Sequence, residues 1–313
     1  MKIRISTFDA VVWLLLLTAP FWLPWIGGYT ALGSRVLVFA MAAMGLNLLL
    51  GHTGGLSFGH AAYFGLGAYG TGLLLKFATH STLLAVLGGT LLGGLAALLF
   101  GPLMVRRRGI YFAMVTIAIG QMVYFVAVRW NSLTGGEDGL TGFSRQPIHV
   151  GAFSIPLQGI SFYYFVLVFF AIGAAIVAQV LRSPLGRTFT AVRENERRLR
   201  FLGVSVERYI WAAFAISGLV AAMAGSMEAL LNNFTSPQDL HWTLSGDFVI
   251  MCVLGGMRSY WGPLFGAIIF VVVQDYLSSL TANWMTFIGL LFVVIVLVFP
   301  QGILGFMRRR AAA

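Results

Sequence analysis

The chain has 313 residues, 59% of them hydrophobic and only 10% charged, with 38 glycines, 26 phenylalanines and a net charge of +10. Soluble domains carry roughly 25% charged residues, so this composition excludes a soluble enzyme, and its apolar content excludes a disordered chain. What remains is an all-α polytopic membrane protein.

Apolar runs set the elements, since a helix crosses a hydrocarbon core of roughly 30 Å with about 20 residues. They predict about ten spans, near 10–26, 32–50, 55–78, 82–104, 109–130, 159–181, 209–231, 244–256, 260–281 and 285–304. The first follows Lys2 and Arg4, as a signal peptide does. Pro20-Phe21-Trp22 stand where a small-residue cleavage site belongs, so it reads as a retained span.

Of the twenty basic residues only Lys2 and Lys76 are lysine, and most of the arginines lie in short stretches between spans. That distribution orients a membrane protein and does not track nucleic-acid phosphates. With the N-terminus inside, sixteen of the twenty fall on the inner side, and Arg35, Lys76, Arg129 and Arg145 on the outer. The bias predicts ten spans with both termini cytoplasmic. Cys252 is the only cysteine, which excludes an internal disulfide and a cysteine-rich metal site.

Two spans are abnormal. Residues 51–72 hold eight glycines, and the 244–256 run is only thirteen long, contains Asp247 and ends in Gly255-Gly256. Each glycine costs a helix interior about 1 kcal/mol, so these stretches are broken or closely packed. Glycine lets helices approach, and short interrupted segments in the two halves also point to a transport pathway; the two readings coexist. A faint glycine pattern is shared by 54–68 and 255–267. Gly55-Leu56-Ser57-Phe58-Gly59 matches the nucleophile elbow of hydrolases, but it opens an apolar span instead of a strand-to-helix turn. It reads as a tight turn at the inner face with Ser57 bonded locally. His52, His60, His80, His149 and His241 lie apart, without metal-site spacing.

Two loops are long. The external loop, 131–158, carries the turn-rich Thr134–Gly142 stretch, a possible docking surface. The inner loop, 182–208, predicts a helix with Ser183 as N-cap, Pro184 at its first position and Gly203 at its C-terminal cap. Leu185, Phe189, Val192, Leu199 and Leu202 recur at helical spacing, and Arg187, Arg193, Arg197 and Arg200 fall largely elsewhere on the wheel. Such a helix suits either a groove on a partner protein or anionic lipid heads; Glu194, Glu196 and Glu207 weaken the lipid reading.

Here the chain resembles a family. Arg182-Ser183 with Gly186-Arg187, then Ala191-Val192-Arg193-Glu194-Asn195-Glu196 and Leu202-Gly203, is similar to the cytoplasmic loop of branched-chain amino acid ABC importer permeases of the LivM type. Gly54 to Ala68, Thr134 to Gly142, and Gly255-Gly256 to Gly266-Ala267 resemble that family's other motifs, in order. The resemblance implies one transmembrane permease domain over 1–313, not an enzyme, in a bacterial inner membrane. Implied partners are two cytoplasmic ABC ATPase subunits, a second, paralogous permease chain, an external substrate-binding protein and membrane lipid. It makes the inner-loop helix a coupling helix, with Arg187, Arg193, Glu194, Asn195, Glu196, Arg197 and Gly203 facing the ATPase. Neither lysine sits in a Gly-Lys-Ser/Thr phosphate loop, so no cofactor is expected in this chain; ATP and Mg belong on the ATPase.

Ionisable and polar groups inside spans are functional suspects. Arg35, Glu228, Asp247 and Asp275 fall toward the outer ends of their spans, Asp275 deepest at about 9 Å. The acids either pair with Arg35 or Arg129 around an outer vestibule for a zwitterionic amino acid, or snorkel to the interface or form a structural ion pair. With Ser57, His60 and Tyr63, the residues Asn47, Thr116, Gln121, Asp247, Gln274 and Asp275 complete the pathway candidates. Two rivals stand beside an ATP-driven importer. A gradient-driven secondary transporter would use Asp247 and Asp275 as ion carriers but leaves the arginine-rich helix without purpose. An intramembrane hydrolase would need an acid and base for Ser57. Related permeases carry urea and short amides, so the substrate stays open.

Overall fold

In the computed structural model, which describes residues 7–150, 153–281 and 283–298 together with 302 and 304, the chain is a helical bundle. Its helices are α1 (Thr7–Trp22), α2 (Thr30–Asn47), α3 (His60–Phe77), α4 (Thr82–Met104), α5 (Ile110–Arg129), α6 (Asn131–Thr134), α7 (Gly159–Arg182), α8 (Pro184–Phe201), α9 (Val206–Asn232), α10 (Trp242–Gly255), α11 (Gly262–Leu280) and α12 (Trp284–Val298). A π-turn, Leu48–Thr53, extends α2, and a two-stranded antiparallel ribbon of β1 (Ile148–Val150) and β2 (Phe153–Ile155) lies in the loop before α7. Seven of the described helices, α1, α2 with its π-turn, α4, α5, α7, α9 and α11, are long and apolar enough to cross a bilayer. That is fewer than the ten expected: α10 and the apolar stretch of α12 are shorter, and α3 is not among the seven. Lys2, Arg4 and Arg308 to Arg310, which carry part of the orientation bias, lie outside the described residues.

Helices α2 and α9 form the centre and are the most buried of the spans. They run antiparallel, Gly45 meeting Ser217 and Val220. The packing then repeats with inverted sense, since α3 and α4 flank α9 as α10 and α11 flank α2. Inverted repeats are a common architecture of transporters, with discontinuous helices near the midplane. The faint glycine match between 54–68 and 255–267 is not this repeat: 54–68 leads into α3, whereas 255–267 joins the end of α10 to α11.

Large side chains on the outer ring, among them Leu91, Leu99, Tyr111, Phe125 and Leu290, stay exposed, as lipid-facing positions do. Helix α1 is held to this bundle by polar contacts as well as apolar ones: Tyr163 Oη donates to Leu16 O at 2.7 Å, and Trp261 Nε1 to Asp9 Oδ1 at 2.7 Å.

Candidate functional site: the broken-span crossing and the inner helix

The glycine-rich stretch is both broken and close-packed. The chain leaves α2 through the π-turn, reverses at Gly54 with φ +78°, and stays non-helical to Gly59. A φ in this region favours glycine. Residues on other spans satisfy the backbone where α3 restarts. Phe58 N–H donates to Thr116 Oγ1 at 3.1 Å, and Ala61 N–H to Ser245 Oγ at 2.8 Å. A helix end buried in a bilayer needs such partners, because its first N–H groups have none of their own.

His60, fully buried, ties three elements together: Nδ1 lies 2.9 Å from Ser57 Oγ and Nε2 lies 2.6 Å from Ser217 Oγ. Ser217 spends its proton on Gly45 O at 2.5 Å. Nε2 of His60 must therefore carry the ring hydrogen and donate, leaving Nδ1 to accept from Ser57, which in turn accepts from Gly59 N–H. In the neutral ring the chain of bonds is directional. Ser57 is bonded locally, as the sequence suggested, but at the depth of Ser217, midway along α9, and not at the inner face.

Helix α10 crosses this point. Its contacts advance in step along α2 (Phe39 with Phe248, Ala43 O with Cys252) and along α3 (Phe58 with Trp242, Ala61 with Ser245, Phe64 with Phe248). Since α2 opposes α9 and α3 follows it, α2 and α3 run in opposite senses, and α10 lies across both. At 14 residues it reaches about 21 Å, short of a span.

The sequence candidates sort by place. Ser57, His60, Tyr63 and Thr116 converge at the crossing, Tyr63 set edge-on to His60 and Phe214. Asn47 lies at its inner end, Nδ2 donating to Ser259 O at 3.1 Å and Oδ1 unpaired. Gln121 stands on α5 and Asp247, half-buried, on α10. Gln274 and Asp275 lie on α11, apart from the crossing, with Asp275 Oδ1 accepting from Tyr29 Oη at 2.8 Å. The expected acid–arginine vestibule is not built from ion pairs: among the described residues no salt bridge joins Glu228, Asp247 or Asp275 to Arg35 or Arg129. Ser217, Ser245 and Trp242 were missed; a lone serine inside an apolar run was the available signal.

The inner helix differs from its expectation in three ways. Ser183 and Pro184 start α8, but the Ser183 hydroxyl bonds Val180 O at 2.6 Å and caps nothing. Asn195, with φ −158° and ψ 89°, breaks the helix, and its Oδ1 accepts from Arg198 N–H at 3.0 Å to start a second piece. Part of the apolar stripe is covered by the chain itself, since Phe189 and Val192 are buried with Phe112, Val206 and Phe214. The apolar groups left exposed are Leu185 at 37% near the start of α8 and Phe201 at 91% and Leu202 at 72% at its end, next to Gly203 with φ +77°.

Its charges divide likewise. Arg187, Glu194, Asn195 and Arg197 face outward. Arg193 turns inward, and its Nη1 donates to Leu50 O at 3.4 Å and to Gly51 O. These carbonyls end the π-turn, where a helix presents partial negative charge. Burial first, then the neighbouring Arg258, lowers the Arg193 pKa from its ordinary value. Glu196 bridges Arg108 at 3.0 Å and Arg200 at 2.8 Å, and Arg200 also pairs with Glu207. Gly54, Gly55, Arg108, Phe112, Arg193 and Glu196 line a cavity of about 280 Å³ between α8 and the broken span. In the 131–158 loop, Thr134–Gly142 closes onto the chain itself, with Leu140 bridged to Thr235. Among the described residues no three potential metal ligands converge.

A family model described as the permease component of the branched-chain amino acid transport system matches residues 28–296. The chain is 28% identical to the high-affinity branched-chain amino acid transport system permease protein LivM of Escherichia coli, over 90% of this chain and 71% of that protein. It is 25% identical to LivH of Salmonella typhimurium, covering 85% and 91%, and 30% identical to the L-arabinose permease protein AraH of Azospirillum brasilense, covering 65% and 59%. No solved structure matches.

Proposed function

The chain belongs to the branched-chain amino acid permease family, and from that premise we propose that it is a membrane subunit of an ATP-driven importer of branched-chain or related amino acids. It is a multi-pass transport subunit and not itself an enzyme. In this reading it sits in a bacterial inner membrane with both termini cytoplasmic. It pairs with a second permease chain, takes substrate from an external binding protein, and is driven by two cytoplasmic ATPase subunits that hold ATP and Mg.

The observation that carries the proposal is the Arg193 contact with the π-turn. The cytoplasmic helix does not merely lie on the membrane; it grips the carbonyls from which the broken span departs. Gly51 packs against the Met257 carbonyl and Asn47 against Ser259, so the same turn touches the segment that follows α10. A displacement of α8 by an ATPase is thus delivered to both interrupted segments. π-turns recur at functional sites, and alternating access around a midline crossing needs a point that can move.

The test is to tag the chain, extract its complex gently, identify the copurified subunits and reconstitute them in vesicles. Uptake of radiolabelled leucine that needs internal ATP and the binding protein supports the reading. Uptake by the chain alone, without ATP and abolished by an ionophore, overturns it. The substrate within the class is the second readout, since a relative carries the name of an L-arabinose permease.

A further inference from the structure

Helix registers bring four polar side chains together in the outer half of the bundle. In the antiparallel α2–α9 pair Gly45 meets Ser217, and the same register sets Arg35 opposite Glu228, within electrostatic reach. In the parallel α3–α9 pair Ser226 Oγ donates to Gly67 O at 3.2 Å, which sets the outer part of α3, with Tyr69, beside the outer part of α9. The Asp239 carbonyl packs on Gly65, one turn before Tyr69, and the Asp239 carboxyl is in electrostatic reach of Tyr69, Glu228 and Arg35.

These groups are incompletely met. Glu228 is 5% exposed and Tyr69 3%. Glu228 Oε1 accepts from Asn232 Nδ2 at 3.1 Å, but Oε2 has no partner, and neither do Tyr69 Oη and Arg35 Nε, all buried. Asp239 Oδ2 accepts from Ser236 N–H at 3.0 Å. Buried polar atoms without partners are rare in folded proteins and each asks for a ligand or water. Here the unmet set is two donors, one of them cationic, beside an unpaired carboxyl oxygen of Glu228 and, within reach, the Asp239 carboxyl. That is the complement of a zwitterion: a carboxylate takes Arg35 and Tyr69, and an ammonium gives to Glu228 and Asp239.

We infer that Arg35, Tyr69, Glu228 and Asp239 form a site that reads the α-ammonium and α-carboxylate of the amino acid as it enters from the outer side. The inference rests on the importer reading above and adds what the permease recognises: the shared zwitterion, leaving side-chain selection elsewhere. Arg35 and Glu228 face each other across the central pair, so a ligand bridging them reports directly on the α2–α9 contact.

The test uses the purified permease complex with its ATPase subunits and without the external binding protein. Binding of radiolabelled leucine is competed with isoamylamine, which lacks the carboxylate, and with isocaproate, which lacks the ammonium. In the parent complex neither analogue displaces leucine at about hundredfold excess. Glu228→Gln keeps the Asn232 bond and the volume, and raises the leucine Kd about tenfold; Tyr69→Phe raises it about threefold. Retention of the ATPase subunits in each variant separates loss of site from loss of fold. Leucine binding within twofold of the parent in Glu228→Gln or Tyr69→Phe, or effective competition by isoamylamine, overturns the site, including the case in which a water alone fills it. ATP-driven uptake that survives both substitutions unchanged removes the site but leaves the importer standing, whereas no ATP-driven uptake in the parent removes the importer reading itself.

Discussion

Nε2 of His60 and Oγ of Ser217 lie 2.6 Å apart, both fully buried, and this contact joins the restart of a broken span to the central helix α9. Because the Ser217 proton is committed to Gly45 O, the imidazole has one tautomer and one orientation. His60→Leu strands the Ser57 hydroxyl and unties the three elements. A buried polar group left unmet costs about 1–3 kcal/mol. The expected result is an unfolding midpoint lowered accordingly in detergent and uptake reduced by at least about tenfold. Full uptake in His60→Leu means the crossing does not depend on this chain of bonds.

Gly225 on α9 packs against the backbone of α3, where an added Cβ would overlap the Phe64 carbonyl oxygen. Gly225→Ala forces two backbones apart and is expected to destabilise by about 1–3 kcal/mol. Gly289 on α12 meets nothing within 4 Å, so Gly289→Ala is expected within about 0.5 kcal/mol of the parent, or slightly stabilising. Thermal unfolding of the two variants side by side checks the contrast; equal shifts would show that the α3–α9 approach has slack.

Arg193 is a positioning residue for coupling. Removing it leaves the Leu50 and Gly51 carbonyls without their cation and frees α8 from the π-turn. Arg193→Ala is expected to keep the ATPase subunits in the complex while uptake per ATP hydrolysed falls about tenfold, and Arg193→Lys to recover part of it, since lysine supplies charge without the planar fork. A parallel loss of hydrolysis and uptake, with the ratio unchanged, would assign Arg193 to assembly instead.

Phe201 and Leu202 present apolar surface at the end of α8, 91% and 72% exposed. Surface changes of this kind rarely move stability beyond about 0.5 kcal/mol. The double change Phe201→Ser and Leu202→Ser is therefore expected to leave the unfolding midpoint in place while the copurified ATPase is lost. Retention of the ATPase would move its contact to the outward charges Arg187, Glu194 and Arg197.

Some of the site was legible in residue order. Pro184 and Gly203 punctuate the inner helix for local reasons, one by its missing N–H and fixed φ, the other by its left-handed backbone. Asn195 was readable only as part of a helical run, because its break depends on its own side chain recapping the next turn. Phe189 and Val192 have the spacing of a docking stripe, and nothing local tells a stripe that meets a partner from one that meets its own chain.

The sequence by itself determined the membrane class, the apolar character of most of the helices and the family, because apolar content, period and motif order act over one turn or one loop. Tertiary structure alone decided that Arg193 points into the bundle, that α10 lies across α2 and α3, and that Arg35 faces Glu228. Those relationships join residues 142 to 209 positions apart, and they follow from helix register and close backbone packing. A sequence carries the glycines that permit the approach; only the packed helices choose which neighbour arrives.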